Sequence, residues 1–172
     1  MALYAIGERT PTIHPTAFVH PEAVIIGDVT VGAEASIWPT AVLRGDTGRV
    51  VIGAQTSVQD GSVLHCTDTL DTIVGARCVI GHRAHLEGCT IEDGSLVGSG
   101  SVVLHRAVVR AGGMVAAQAL VSPGTEVPSG AVAMGVPARI RADAVPEGMI
   151  ESSVETYVQN AHWYNAHLRR IG

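Results

Sequence analysis

Aliphatic side chains recur every sixth residue through most of this chain. Ile13, Val19, Ile25, Val31, Ile37 and Leu43 form one unbroken series, Ile52, Val58 and Leu64 a second, Val74, Ile80 and Leu86 a third, and Ile91, Val97, Val103, Val109, Val115, Val121 and Val127 a fourth. Four residues after most of these anchors stands a small side chain, as at Ala17, Ala23, Ala35, Ala41, Ser62, Cys78, Ala84, Ser101, Ala107 and Ala131. A strand alternates faces with period two, so six residues hold three alternations. An aliphatic every sixth residue, with a small residue two places before the next, describes short strands joined by tight corners. Three such strands close one triangular coil, and coils stacked ~4.8 Å apart bury a ladder of aliphatics along the axis. The pattern predicts an all-β solenoid over residues 11–137, roughly seven coils long. A β-sandwich would instead show strands every ~8–12 residues in no fixed register.

Breaks in the register are as informative as the register. Three residues are inserted between Leu43 and Ile52, four between Leu64 and Val74, and one is missing between Leu86 and Ile91. Read as corner loops, they direct attention to residues 44–89, because insertions in repeat proteins cluster on the binding face. The repeat ends near Val136-Pro137, and residues 138–151 read as a connecting loop. The period then changes to 3–4 at Tyr157, Val158, Ala161, Tyr164, Leu168 and Ile171, which predicts an amphipathic α-helix over 152–170. Ser152 with Glu155 reads as its capping box. Its apolar stripe needs a partner, either the prism itself or a neighbouring subunit.

Composition narrows the function classes. Hydrophobic residues reach 47% but aromatics only 3%, so the core is aliphatic. The 11 basic residues are all arginine and are outnumbered by 16 acids, which argues against nucleic acid or an anionic membrane surface as partner. No apolar run approaches the ~18 residues a membrane span needs. Cys66, Cys78 and Cys89 cannot all pair within one chain, and residues 1–10 carry no apolar export segment, so a cytoplasmic location is expected.

Stacking arithmetic locates the candidate chemistry. With three hexads per coil, Leu43, Leu64 and Leu86 fall on one face, and the residues after them, Arg44, His65 and Glu87, form an outward column. On the preceding face Asp60 sits one coil from His82, with Gln59 beside it. His65 and Glu87 can reach one metal ion, whereas His82 points away on a convex prism. One chain therefore cannot close the site. Association about a three-fold axis would bring His82 of one chain to His65 and Glu87 of the next, predicting a homotrimer with three intersubunit sites. His85, His105 and Tyr157 are further candidates near the site. Arg44 and Asp46 suit a salt bridge that shapes it. Cys66 and Cys89 flank the column and could bind metal, although Cys89 reads better as a buried inert thiol.

Several of these segments occur together in one known family. Gly27-Asp28-Val29, Ile37-Trp38-Pro39, Leu43-Arg44-Gly45-Asp46, Val58-Gln59-Asp60-Gly61-Ser62-Val63-Leu64-His65, Gly81-His82, Gly88-Cys89 and Gly135-Val136-Pro137-Ala138 resemble the gamma-class carbonic anhydrase-like hexapeptide-repeat family. The resemblance implies a left-handed parallel β-helix, a homotrimer, a C-terminal helix along the prism and zinc at the subunit interfaces. It matches His65 and His82 to the family's first two histidine ligands, and Arg44, Asp46, Gln59 and Asp60 to the catalytic polar residues around them. The third histidine position is Glu87 here, and no counterpart of the acidic loop of the most active members follows Asp46.

The expected function is reversible carbon dioxide hydration, or related metal-hydroxide chemistry on a small carbonyl substrate, at an atypical His-His-Glu site. Zinc is the expected metal, and iron(II) also suits two histidines with one carboxylate. Two alternatives stand beside this reading. One is a hexapeptide-repeat acyltransferase using His85 or His105 as general base. The other is a family member with altered or lost metal chemistry, with Arg44 paired to Glu87, acting on or binding another small molecule.

Overall fold

The computed structural model describes residues 2–172. Short parallel strands stack into three faces of a prism. The first face runs through Ala2–Tyr4, the start of Val24–Val31, the start of Val42–Ile52, Val63–His65, His85–Glu87, Val102–Val103 and Leu120–Val121. The second carries Thr12–Ile13, the ends of the same two long strands, Thr72–Val74, Thr90–Ile91, Val108–Val109 and Glu126–Val127. The third carries Phe18–Val19, Ser36–Ile37, Ser57–Val58, Val79–Ile80, Leu96–Val97, Met114–Val115 and Val132–Met134. This is a left-handed parallel β-helix with one C-terminal helix.

Every six-residue anchor except Ile13 is buried, and Ile13 packs half-buried at the open end of the ladder. Fully burying each such side chain contributes roughly 1.5–3 kcal/mol, so the ladder is the main source of stability. The small residues between anchors are buried too, except half-buried Ala17 at the open end, since a larger side chain would not fit inside the corner.

Four expectations are corrected. The insertion between Leu43 and Ile52 is no loop: it lies within the continuous 11-residue strand Val42–Ile52, paired along Val24–Val31 with a bulge at Gly27/Val29. Close backbone approach makes this possible, because a Cβ on Gly27 would stand 2.2 Å from the Gly45 carbonyl oxygen. The solenoid also begins before residue 11, where Ala2–Tyr4 pairs with Val24–Ile26. Part of the expected loop 138–151 is a strand, Arg139–Arg141, which turns back antiparallel on Val132–Met134 and caps the third face. The helix spans Met149–His167 with Gly148 as N-cap, and no capping box forms. Ser152 lies inside the first turn, and the Ser153 hydroxyl donates to the Met149 carbonyl at 2.9 Å.

The helix covers its own prism. Ile150 and Val154 pack on Val79, and Ala161 packs on Phe18 and Trp38 of the third face. Tyr157 and Tyr164 meet the Trp38 ring edge-on at 5.8 and 5.0 Å, while the indole N–H donates to Ser36 and Ser57 at 3.0 and 2.9 Å. Leu168 and Ile171 fall beyond the helix end and are exposed. The first face keeps an outward apolar row, Val24, Val42, Val63, Val102 and Leu120, interrupted by His85 in the register between Val63 and Val102. No helix is long and apolar enough to cross a membrane among the described residues.

Candidate functional site

The strand register sets the outward column. Arg44 pairs with His65 across one rung, and His65 with Glu87 across the next. Glu87 Oε1 stands 3.2 Å from His65 Nδ1, and Asp46 Oδ1 stands 2.9 Å from His65 Nε2. Arg44 donates to the other Asp46 oxygen, so it pairs with Asp46 and not with Glu87. Partial burial opposes ionisation of Asp46, but hydrogen bonds from His65 and Arg44, with the Arg44 charge, hold its carboxyl below the usual range. Glu87 follows the same balance: burial raises it, and His65 and His85 more than compensate.

Glu87 is the centre of a wider cluster. Its Oε2 lies 3.3 Å from His85 Nε2, and its Oε1 lies 3.8 Å from His105 Nε2, a buried nitrogen with no hydrogen-bond partner among the described residues. His105 fits beside Gly88, where a Cβ would stand 3.0 Å from the imidazole Cδ2. One carboxylate thus stands among three imidazoles drawn from three coils and hydrogen-bonds with two of them.

Two positioning devices escaped the sequence reading. The buried Thr72 hydroxyl donates to the His65 carbonyl and accepts the Gly88 N–H at 2.8 Å, fixing the backbone on both sides of the His65–Glu87 pair. Asp71 takes two bonds from the Arg49 guanidinium, at 2.8 and 3.0 Å, and one from its backbone N–H, tying the two insertions together. Opposite charges 22 residues apart, one coil plus the insertion, were the available signal.

A second group forms at the neighbouring corner. His82 Nδ1 lies 2.9 Å from Asp60 Oδ2, and among the described residues Nε2 has no hydrogen-bond partner. Gln59 is buried. Burial, then the Asp60 charge, push the Tyr157 hydroxyl above its ordinary value against a hydrogen bond with Gln59. Arg44, Asp46, His65, Glu87, His85 and His105 therefore come together, and Gln59, Asp60, His82 and Tyr157 form a separate set.

His65 and Glu87 in the first set and His82 in the second are side-chain types that suit a divalent cation. The 3.2 Å between His65 Nδ1 and Glu87 Oε1 is about the spacing of two ligands each ~2.0–2.1 Å from a tetrahedral zinc. His82 does not join them within the chain: among the described residues the one trio whose ligand atoms all lie within 4.8 Å is Asp46, His65 and Cys66. Burial raises the Cys78 and Cys89 thiols to about 11 and about 12, as suits inert core groups.

Known proteins resemble this chain in sequence and in fold. Residues 71–105 match the family described as bacterial transferase hexapeptide (six repeats). The carnitine operon protein CaiE of Escherichia coli K12 is 47% identical over 139 residues, 81% of this chain and 71% of that protein. A hexapeptide transferase family protein from Anaplasma phagocytophilum superposes with a TM-score of 0.91 at 37% identity, covering 95% of this chain and 98% of the other. A Bacillus cereus protein given an acetyltransferase assignment superposes with a TM-score of 0.93 at 33% identity, over 96% and 97%.

Proposed function

Because the chain belongs to the gamma-class carbonic anhydrase-like hexapeptide-repeat family, we propose that it works as a homotrimer whose three metal sites lie between subunits. Each site takes His65 and Glu87 from one protomer and His82 of the partner subunit. The observation that carries this reading is the His65–Glu87 pair, held rung to rung at ligand spacing on a face with an uncovered apolar row. That row suits burial against a second copy, and a three-fold arrangement places the corner of one prism beside the column of the next.

A zinc or other divalent cation bound there supplies Lewis acidity, acidifying water and polarising a small carbonyl substrate such as carbon dioxide. The chain's own residues do the rest. Asp60 holds the His82 ring through Nδ1 and leaves Nε2 to face the partner, the carboxylate–histidine arrangement that orients metal ligands. Arg44 fixes Asp46, and Asp46 in turn steadies His65 from the side opposite Glu87. Gln59 and Tyr157, hydrogen-bonded to each other beside Asp60, are assigned to orienting a polar substrate.

Metal content and carbon dioxide hydration, measured together in the wild type and in His65→Ala, test the reading. Stoichiometric metal with hydration activity, both lost in His65→Ala, supports it. A metal-free wild type under zinc-replete conditions removes it.

A second reading has its own support. His85 and His105 each face Glu87 through Nε2, which leaves Nδ1 of either as a general base for acyl transfer to a hydroxyl or amine. Relatives at 33 and 37% identity are described as transferases. Thermal stabilisation by coenzyme A in the absence of metal would favour it.

A further inference from the structure

We propose a second cation seat, within a single protomer, formed by Asp46, His65 and Cys66. One ligand atom from each residue lies within 4.8 Å of the other two. Glu87 and His82 take no part, so variants at those two residues separate the seat from the intersubunit site, with which it shares His65.

The seat lies across the His65 ring from Glu87. Nδ1 faces Glu87, and Nε2 faces Asp46, so one imidazole borders both positions. Arg44 occupies Asp46 Oδ2 and thereby turns Oδ1 toward the ring. Cys66 is fully buried, and its sulfur accepts the Gly48 N–H at 3.1 Å, with the Thr47 hydroxyl at 3.9 Å. Those are the contacts a metal-bound sulfur needs. Glycine at position 48 permits them, because a Cβ there would stand 2.5 Å from the Thr67 carbonyl oxygen. In the absence of metal the thiol hydrogen points to the Arg44 carbonyl at 3.6 Å. Binding releases that proton to solvent, shifts the His65 ring proton from Nε2 to Nδ1, where Glu87 Oε1 accepts it, and changes no oxidation state.

The donors define the class of ion. Sulfur, imidazole nitrogen and one carboxylate oxygen select a borderline divalent cation such as zinc or cobalt over magnesium or calcium, which take oxygen ligands. Cys66, the residue just after the strand Val63–His65, thus acquires a role that the six-residue register alone does not suggest.

Cobalt(II) titration of the metal-free, full-length protein tests the seat, since sulfur ligation produces a near-ultraviolet charge-transfer band. The band should grow to one equivalent per chain, vanish in Cys66→Ser and in Cys66→Ala, and persist in Glu87→Gln and His82→Ala. Asp46→Asn should weaken cobalt binding by about tenfold to a hundredfold or more. Absence of the band in the wild type, its survival in both Cys66 variants, or its loss in Glu87→Gln would overturn the proposal. Carbon dioxide hydration reports on the intersubunit site separately, so the two can fail independently.

Discussion

Glu87 Oε1 stands 3.2 Å from His65 Nδ1, one rung above it on the same face of the solenoid. The contact follows from parallel register: Leu64 and Leu86 stack inside the prism, so the residues after them must stack outside. A carboxylate here offsets the charge of a cation more than an imidazole would.

Glu87→His should therefore bind zinc at least as stoichiometrically as the wild type and hydrate carbon dioxide faster near neutral pH. Metal analysis beside stopped-flow hydration checks both. Metal in Glu87→His but none in the wild type would mark Glu87 as a lost ligand.

Asp60→Asn leaves the fold intact but weakens the hold on the His82 ring. Zinc affinity should fall by about tenfold to a hundredfold with an unchanged melting temperature. Competition with a chromogenic chelator measures it, and unchanged affinity would detach His82 from the site.

Val97 is fully buried in the ladder, so Val97→Asp should abolish soluble expression by placing an unpaired charge in the core. Asp68→Asn, at an exposed turn, should leave yield and melting temperature unchanged.

Acid should destabilise the metal-free protein in a defined direction. Asp46, Asp71 and Glu87 are all held below their ordinary values of 3.8, 3.8 and 4.5, so each stabilises the fold above that value. That contribution is lost as pH falls through the lower folded value. Melting temperature should hold above about pH 5 and drop below it, less steeply in Glu87→Gln. Equal slopes would deny the cluster any energetic role.

The parts legible in advance were those governed by periodicity. Burial of the aliphatic anchors, the Arg44–His65–Glu87 column and the Asp60–His82 pair all follow from counting hexads. Other features depended on interactions that counting does not see. The chain passes through residues 44–50 as a strand because Gly27 and Gly45 let two backbones nearly touch. Helix onset at Gly148 reflects its left-handed backbone, not the Ser152 and Glu155 side chains. The hexad count places His105 near the column, but its approach to 3.8 Å from Glu87 depends on the room that Gly88 leaves beside its ring.

The central claim, a site shared between subunits, is tested most directly by complementation. His82→Ala chains keep His65 and Glu87, and Glu87→Ala chains keep His82, so neither homotrimer should hydrate carbon dioxide. Every mixed trimer contains one intact interface, so co-expression should restore about a third of wild-type activity per mixed trimer. Mixed trimers that form but remain inactive, or a fully active His82→Ala homotrimer, would contradict the shared site.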